Sequence, residues 1–315
     1  MRAFIWLALA AASSAQSGLV IQSEADVNSV AFTRDGAWIA ADCRDGQVRV
    51  WDARSGALKR TVRREEGDTA EALPSPADLL GIVGKGGSIR ILDLQTGELK
   101  RRIAGPSQRT RGLVFSPDRS LVAVSSRTGD SGSEETVRVW DANGKQLFAA
   151  PAGLGGTSAM AISPDGATLV AGSWDTNVRA WSTRNGELRR LIEDLPVSMF
   201  AIAFSPDGKY LAAAGVDSTI YLWDAKSLEL SRKLTGQPEM IGSMAFSADS
   251  RRLLTGGFNE LTTQHPVSVL LWDVSSGKAI KSFPSPHAVR ALTFAPDGRT
   301  AAVACQKTIS FLAMP

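Results

Sequence analysis

Val48-Arg-Val-Trp51-Asp52 decides the fold, because it comes back along the chain. It returns as Val137-Arg-Val-Trp140-Asp141, Val178-Arg-Ala-Trp181-Ser182, Ile220-Tyr-Leu-Trp223-Asp224 and Val269-Leu-Leu-Trp272-Asp273. A degenerate copy, Ile89-Arg-Ile-Leu92-Asp93, lies between the first two, and Thr308-Ile-Ser-Phe-Leu312 ends the series. The positions equivalent to Trp51 recur at steps of about 40 residues, the length of one supersecondary unit that buries its apolar face only by stacking on a neighbour.

A second signal is phased with the first. Phe204-Ser-Pro-Asp-Gly208 recurs as Phe115-Ser-Pro-Asp118, Ile162-Ser-Pro-Asp-Gly166, Phe246-Ser-Ala-Asp249 and Phe294-Ala-Pro-Asp-Gly298, and Phe32-Thr-Arg-Asp-Gly36 is its first copy. The chemistry is that of a tight turn: Pro presets φ, Ser and Asp bond the local backbone, and Gly accepts positive φ. The apolar runs on either side are too short for helices and have strand length. Each repeat therefore reads as four strands: a before this turn, b after it, c ending at the Trp, and a more polar outer strand d. Strand d follows a second turn such as Arg54-Ser-Gly56 or Ser275-Ser-Gly277.

These phased motifs resemble the WD40-repeat family and cover essentially all of the chain after its first residues. The resemblance implies an all-β fold, a seven-bladed β-propeller of four-stranded antiparallel blades around a central channel. It marks Trp51, Asp52, Trp140, Asp141, Trp181, Trp223, Asp224, Trp272 and Asp273 as structural repeat residues. Asp45, Asp175 and Asp217, each six residues before a Trp, join them as b–c turn aspartates. The Gly-His pair common in the family is absent from every repeat, so the family's His-to-Asp hydrogen-bond relay is not expected. Blade 2 has Gly86 in place of the turn aspartate, and blades 2 and 7 are expected to be the least typical. The seventh repeat stops after strand c. Leu19–Gln22 belong to no other repeat, so they are expected to complete blade 7 and leave no open sheet edge.

The first residues differ from the rest. Arg2 precedes the apolar run Ala3–Ala12, and Ser13-Ser-Ala15 supplies small residues. This pattern reads as a signal peptide over residues 1–15 with cleavage near Ala15, followed by a propeller over residues 16–315. The run is too short to span a bilayer. An exported protein, periplasmic or secreted, is expected, with no membrane span.

Of the 315 residues, 35 are basic and 32 acidic, and they are interspersed, which argues against a nucleic-acid partner. Two cysteines in an exported chain invite a disulfide. Cys43 and Cys305, however, hold the same place in neighbouring blades, whose sheets pack too far apart for a bond. Two free, buried thiols are expected. No catalytic motif stands out. His265 and His287 fall in loops of one face and could meet with Glu260 around a metal, but two surface histidines are the preferred reading, and Gly84-Lys-Gly-Gly87 lacks the spacing of a phosphate loop. Neither metal nor cofactor is expected.

The family likeness places partner binding on the face formed by the d–a and b–c loops. Blades 3 and 6 carry long b–c segments on that face, residues 127–135 and 258–266. Arg44 and Trp174 precede b–c turn aspartates, and Arg111, Phe200 and Arg290 hold the second position of strand a, at the channel mouth. Arg and aromatic side chains are the types that carry interface energy, so Arg44, Arg111, Trp174, Phe200 and Arg290 are the candidate binding residues. The expected function is a non-enzymatic scaffold or adaptor for a protein or peptide, working as a monomer outside the cytoplasm. The alternative is a propeller enzyme or small-molecule binder using the same channel mouth.

Overall fold

The computed structural model describes residues 18–63, 73–74, 78–84, 87–105, 110–128, 134–193, 195–258 and 266–315. They form seven four-stranded antiparallel sheets. In blade 1 the strands are Val27–Phe32 (a), Trp38–Cys43 (b), Gln47–Asp52 (c) and Leu58–Arg63 (d). Blades 2 to 6 repeat that order in sequence. Blade 7 takes Ala291–Phe294, Thr300–Cys305 and Thr308–Ala313 from the end of the chain and Val20–Gln22 from its beginning. The register Val20↔Ser310, Ile21↔Ile309, Gln22↔Thr308 closes the ring as the sequence suggests.

The core is a ring of seven apolar seams, one between each pair of consecutive blades. Val48, Val50, Leu80 and Ile82 fill the seam between blades 1 and 2. Leu254, Val269, Leu292 and Val303 fill that between blades 6 and 7. The closing seam, between blades 7 and 1, holds Ile21, Phe32, Ile309 and Phe311. An inner strand faces a seam on each side, so strand b is buried on both faces, as at Thr168–Ser173. That double burial explains its unbroken runs of small apolar residues, such as Ala212-Ala-Ala214. Strand d has one face in water, and its exposed positions include charges, Lys59, Lys100, Arg190 and Lys233, beside leucines such as Leu58 and Leu99. Edge charge of this kind discourages edge-to-edge pairing. Blades 2 and 7 have the shortest described a strands, Leu73–Pro74 and Ala291–Phe294.

The turn motif works through its first and third polar residues. The Ser116, Ser163, Ser205 and Ser247 hydroxyls donate to Asp118, Asp165, Asp207 and Asp249. Each aspartate also accepts an N–H two residues on, as Asp165 does from Ala167 at 2.9 Å. These bonds hold Asp118, Asp165 and Asp249 below the usual carboxylate range, the serine hydroxyl contributing most. At the c–d turn of blade 6 the Ser275 and Ser276 hydroxyls hold Asp273 down to about 2. The folded state therefore keeps these groups ionised where the unfolded chain, with Asp near a pKa of ~3.9, already takes up protons. Stability is expected to be level above about pH 5 and to fall as the pH drops from about 4 toward 2. Melting temperatures measured from pH 6 to pH 3 check this, and a flat profile across that range contradicts it.

The extent of the long b–c loops needs correction. Residues 127–135 are not all loop. Strand b of blade 3 runs to Thr128 and strand c begins at Glu134, with Thr128 paired to Glu134, so the ladder projects past its neighbours. In blade 6, Phe258 likewise belongs to strand b, and residues 259–265 lie outside the described residues.

Blade 6 carries a different hydrogen-bond chain, with neither histidine nor aspartate in it. The Trp272 indole N–H donates to Thr255 Oγ1 at 2.8 Å, and Thr255 donates to Gln237 Oε1 at 2.9 Å. Gln237 in turn donates to Glu239 at 2.9 Å. The Gln237 amide can both donate and accept, which lets it stand in the middle of this chain.

Candidate functional site

The repeat residues are scaffold. The tryptophans at 51, 140, 181, 223 and 272 are no more than 3% exposed, wedged in the seams. The aspartate that follows all of them but Trp181, where Ser182 stands, caps the c–d turn: Asp52 accepts the N–H groups of Arg54 and Ser55, and Asp224 those of Lys226 and Ser227. Asp141 does the same for Asn143 and Lys145. The b–c turn aspartates are held from strand c, by the residue four positions on. Arg49 reaches Asp45 at 2.6 Å, Arg179 reaches Asp175 at 2.8 Å, and the Tyr221 hydroxyl donates to Asp217 at 2.7 Å. The sequence carried that signal as an Arg or Tyr two residues before the Trp.

Cys43 and Cys305 are free and buried, and burial pushes both thiols up. Each has an equivalent serine beside it, Ser23 at 3.5 Å and Ser285 at 3.0 Å. His287 is half-buried in the loop entering blade 7, while His265 and Glu260 lie outside the described residues. Among the described residues no group of three His, Cys, Asp or Glu side chains is placed to hold a metal ion. No helix there is long and apolar enough to cross a membrane.

The strand-a candidates share a backbone device. The register shifts between Val27 and Ser29, Thr110 and Gly112, Thr157 and Ala159, Met199 and Ala201, and Ile241 and Ser243. The skipped residues are Asn28, Arg111, Ser158, Phe200 and Gly242, each a β-bulge. Arg290 is the equivalent position in blade 7, just before strand a. A bulge leaves its residue out of the ladder and re-aims the side chain, here to the channel mouth. The Arg111 side chain lies outside the described residues.

Four blades then converge. Trp174 opens the b–c turn of blade 4, directly after strand b, and stands 47% exposed. Its N–H donates to the Gly156 carbonyl at 2.9 Å, which ties it to the d–a loop. Its ring meets that of Phe200, from blade 5, with centroids 5.1 Å apart. Phe258, at the end of strand b in blade 6, lies across from them, and the Arg290 guanidinium of blade 7 sits 5.3 Å from its ring centroid. Together with Gly242 and Val289 these residues line a cleft of about 240 Å³. Gly242 makes the room, since a Cβ there would stand 3.0 Å from that of Phe258. Below the cleft, Ser158, Met160, Ile202 and Ser243 line the channel, a cavity of about 290 Å³.

Arg44, from blade 1, faces the same rim. It pairs with Asp26 at 3.8 Å, and its charge acts on Arg290. Three of the five candidates, Trp174, Phe200 and Arg290, thus share one cleft, with Arg44 at its edge. Phe258 and Gly242 complete it. Phe258 was missed because it sat in what read as an irregular loop.

Such a ring of seams, with one open channel mouth lined by side chains from several repeats, defines a repeat-built β-propeller that presents a composite loop face. A family model described as "WD domain, G-beta repeat" matches residues 18–52, 153–182 and 195–224. These are the repeats that keep the b–c turn aspartate. Those three stretches are WD40 repeats, and the other blades share their four-strand plan.

It is 28% identical over 173 residues to a guanine nucleotide-binding protein subunit beta of Nicotiana tabacum, covering 50% of this chain and 44% of that protein. It is 30% identical over 176 residues to the target of rapamycin complex subunit LST8 of Bos taurus, covering 52% of each. Against an uncharacterized WD repeat-containing protein of Synechocystis the figures are 27% over 150 residues, 47% of this chain and 41% of that one. The chain thus spans about half or less of the curated relatives it matches.

Proposed function

We propose that the protein is a non-enzymatic scaffold that takes a protein or peptide partner in the channel-mouth cleft, and that it acts outside the cytoplasm after losing residues 1–15. The observation that carries the binding reading is the convergence of Trp174, Phe200, Phe258 and Arg290 from four blades. Aromatic and arginine side chains in a partly desolvated pocket are what interface hot spots are made of. Two of the similar proteins are, by name, subunits of larger assemblies. Export rests on the charged, apolar and small segments that open the sequence.

One experiment reads both parts. The full chain, tagged at its C-terminus, is recovered from its native host with whatever it holds, and the N-terminus of the recovered bait is determined. A start at Gln16 is expected, and an intact Met1 overturns export. A specific partner is expected on the wild type and on a Val216→Ala control, and it is expected to fall at least about 10-fold on Trp174→Ala. Trp174 is half in water, so its loss should barely move the melting temperature. A partner retained in full on Trp174→Ala overturns the binding reading.

A further inference from the structure

We infer that the cleft takes an acidic peptide segment, with a carboxylate docked on Arg290 and a neighbouring apolar or aromatic side chain held between Trp174 and Phe258. This rests on the scaffold reading above and specifies its partner.

Two of this protein's other sheltered arginines are matched with carboxylates. Arg49 is bound by Asp45 at 2.6 Å and Glu24 at 2.8 Å, and Arg179 by Asp175 at 2.8 Å. Arg290 differs. It is half-buried, yet among the described residues no carboxylate stands within ion-pair distance of it, and its neighbour is the Phe258 ring. Burial pushes its pKa down, and Arg44 pushes the same way. Asp26 opposes them from farther off and is itself engaged by Arg44. A desolvated cation facing a second cation is costly unless an anion arrives. The planar fork of arginine matches a carboxylate with two parallel hydrogen bonds.

The rest of the cleft limits what else the ligand carries. Trp174 and Phe200 form an aromatic ledge, tilted 57° to one another, and Phe258 faces it. A bare set of rings would favour a cation. Here Arg290 already covers the Phe258 face, and Arg44 adds a second positive charge, so a lysine or quaternary ammonium ligand is repelled. An apolar side chain beside an anion satisfies both surfaces. Single-stranded nucleic acid also combines rings and anions, but it wants a basic groove that tracks its backbone. This cleft, at about 240 Å³, holds one or two side chains.

A random octapeptide library is selected against the full chain. The enriched peptides are measured by fluorescence anisotropy beside versions with each Asp or Glu changed to its amide. The expected peptides carry Asp or Glu within two positions of Phe, Tyr, Trp or Leu. The amide change is expected to weaken binding at least about 10-fold on the wild type and little on Arg290→Gln, whose melting temperature is checked in parallel. Arg290→Lys keeps the charge without the fork and should fall between.

Enrichment of neutral or basic peptides that still need Trp174 overturns this inference and leaves the scaffold reading standing. So does an amide penalty that is equal on the wild type and Arg290→Gln. Peptides indifferent to Trp174→Ala, or no enrichment at all, overturn the scaffold reading as well. A twenty-residue oligothymidylate that competes from the cleft as tightly as the peptides overturns the peptide class.

Discussion

Removal of residues 18–22 is expected to lower the melting temperature by at least about 10 °C and to make the protein prone to aggregation. The segment contributes the fourth strand of blade 7, and Ile21, at 3% exposure, sits in the seam between the last blade and the first. Its backbone is tied on both sides. The Gly18 N–H donates to the Phe311 carbonyl at 2.8 Å, Phe311 donates to Leu19 at 2.9 Å, and Ser23 donates to Lys307 at 2.7 Å. Truncating a buried isoleucine to alanine costs about 2–5 kcal/mol, so Ile21→Ala alone should account for a large part of the loss. Val20, 51% exposed on the same strand, is the control, and Val20→Ala should change little. Without the segment, Thr308–Ala313 becomes an open edge with nothing to pair with. Calorimetry and light scattering on the three variants read the outcome. An unchanged melting temperature in the deletion would mean that the ring is not held there.

Arg49→Ala is expected to destabilise by about 2–3 kcal/mol, the range for losing charged hydrogen bonds whose carboxylates stay in reach of water. The Arg49 side chain is 3% exposed and grips Asp45 on its own turn and Glu24 in the preceding loop. Its hydrogen bond is the main reason that Asp45 stays well below the ordinary carboxylate range. One guanidinium therefore fastens strand c, the b–c turn and the d–a loop together, the three parts that the family's histidine relay would join. In blade 5 the same place is filled by a single neutral donor, and Tyr221→Phe should cost only about 1 kcal/mol. Urea unfolding of both variants gives the comparison. Equal costs would show that the charge at position 49 contributes nothing beyond a hydrogen bond.

The architecture was legible because its determinants are local and repeated. A Trp at fixed phase, a Ser-Pro-Asp-Gly turn and a four-strand rhythm need no long-range information, and even closure followed from counting strands. Polar networks were less legible, since their partners come from different segments. Gln237 gave no sign of a hydrogen-bond chain until Thr255 and Trp272 stood beside it. The replacement clamp was written in the sequence, but only as a weak regularity, Arg49, Arg179 and Tyr221 each four residues after an aspartate. The cleft was half legible. Trp174, Phe200 and Arg290 were chosen one by one from strand phase, and nothing in the sequence said that they would meet. Phe258 escaped because strand b of blade 6 runs further than its turn residues suggest, and Gly242 because a missing side chain leaves no mark.

The repeated bulge at the channel mouth separates two kinds of selection. Asn28, Arg111, Ser158, Phe200, Gly242 and Arg290 occupy one architectural position, and they range from no side chain to an aromatic ring and a guanidinium. A residue inside the ladder must suit its pairing partner and both seams, whereas a bulged one is released from the first demand and most of the second. The ring thus offers a set of sockets whose occupants can be exchanged with little risk to the frame. Re-addressing this scaffold to a new ligand would begin at those sockets, and the seams would remain as they are.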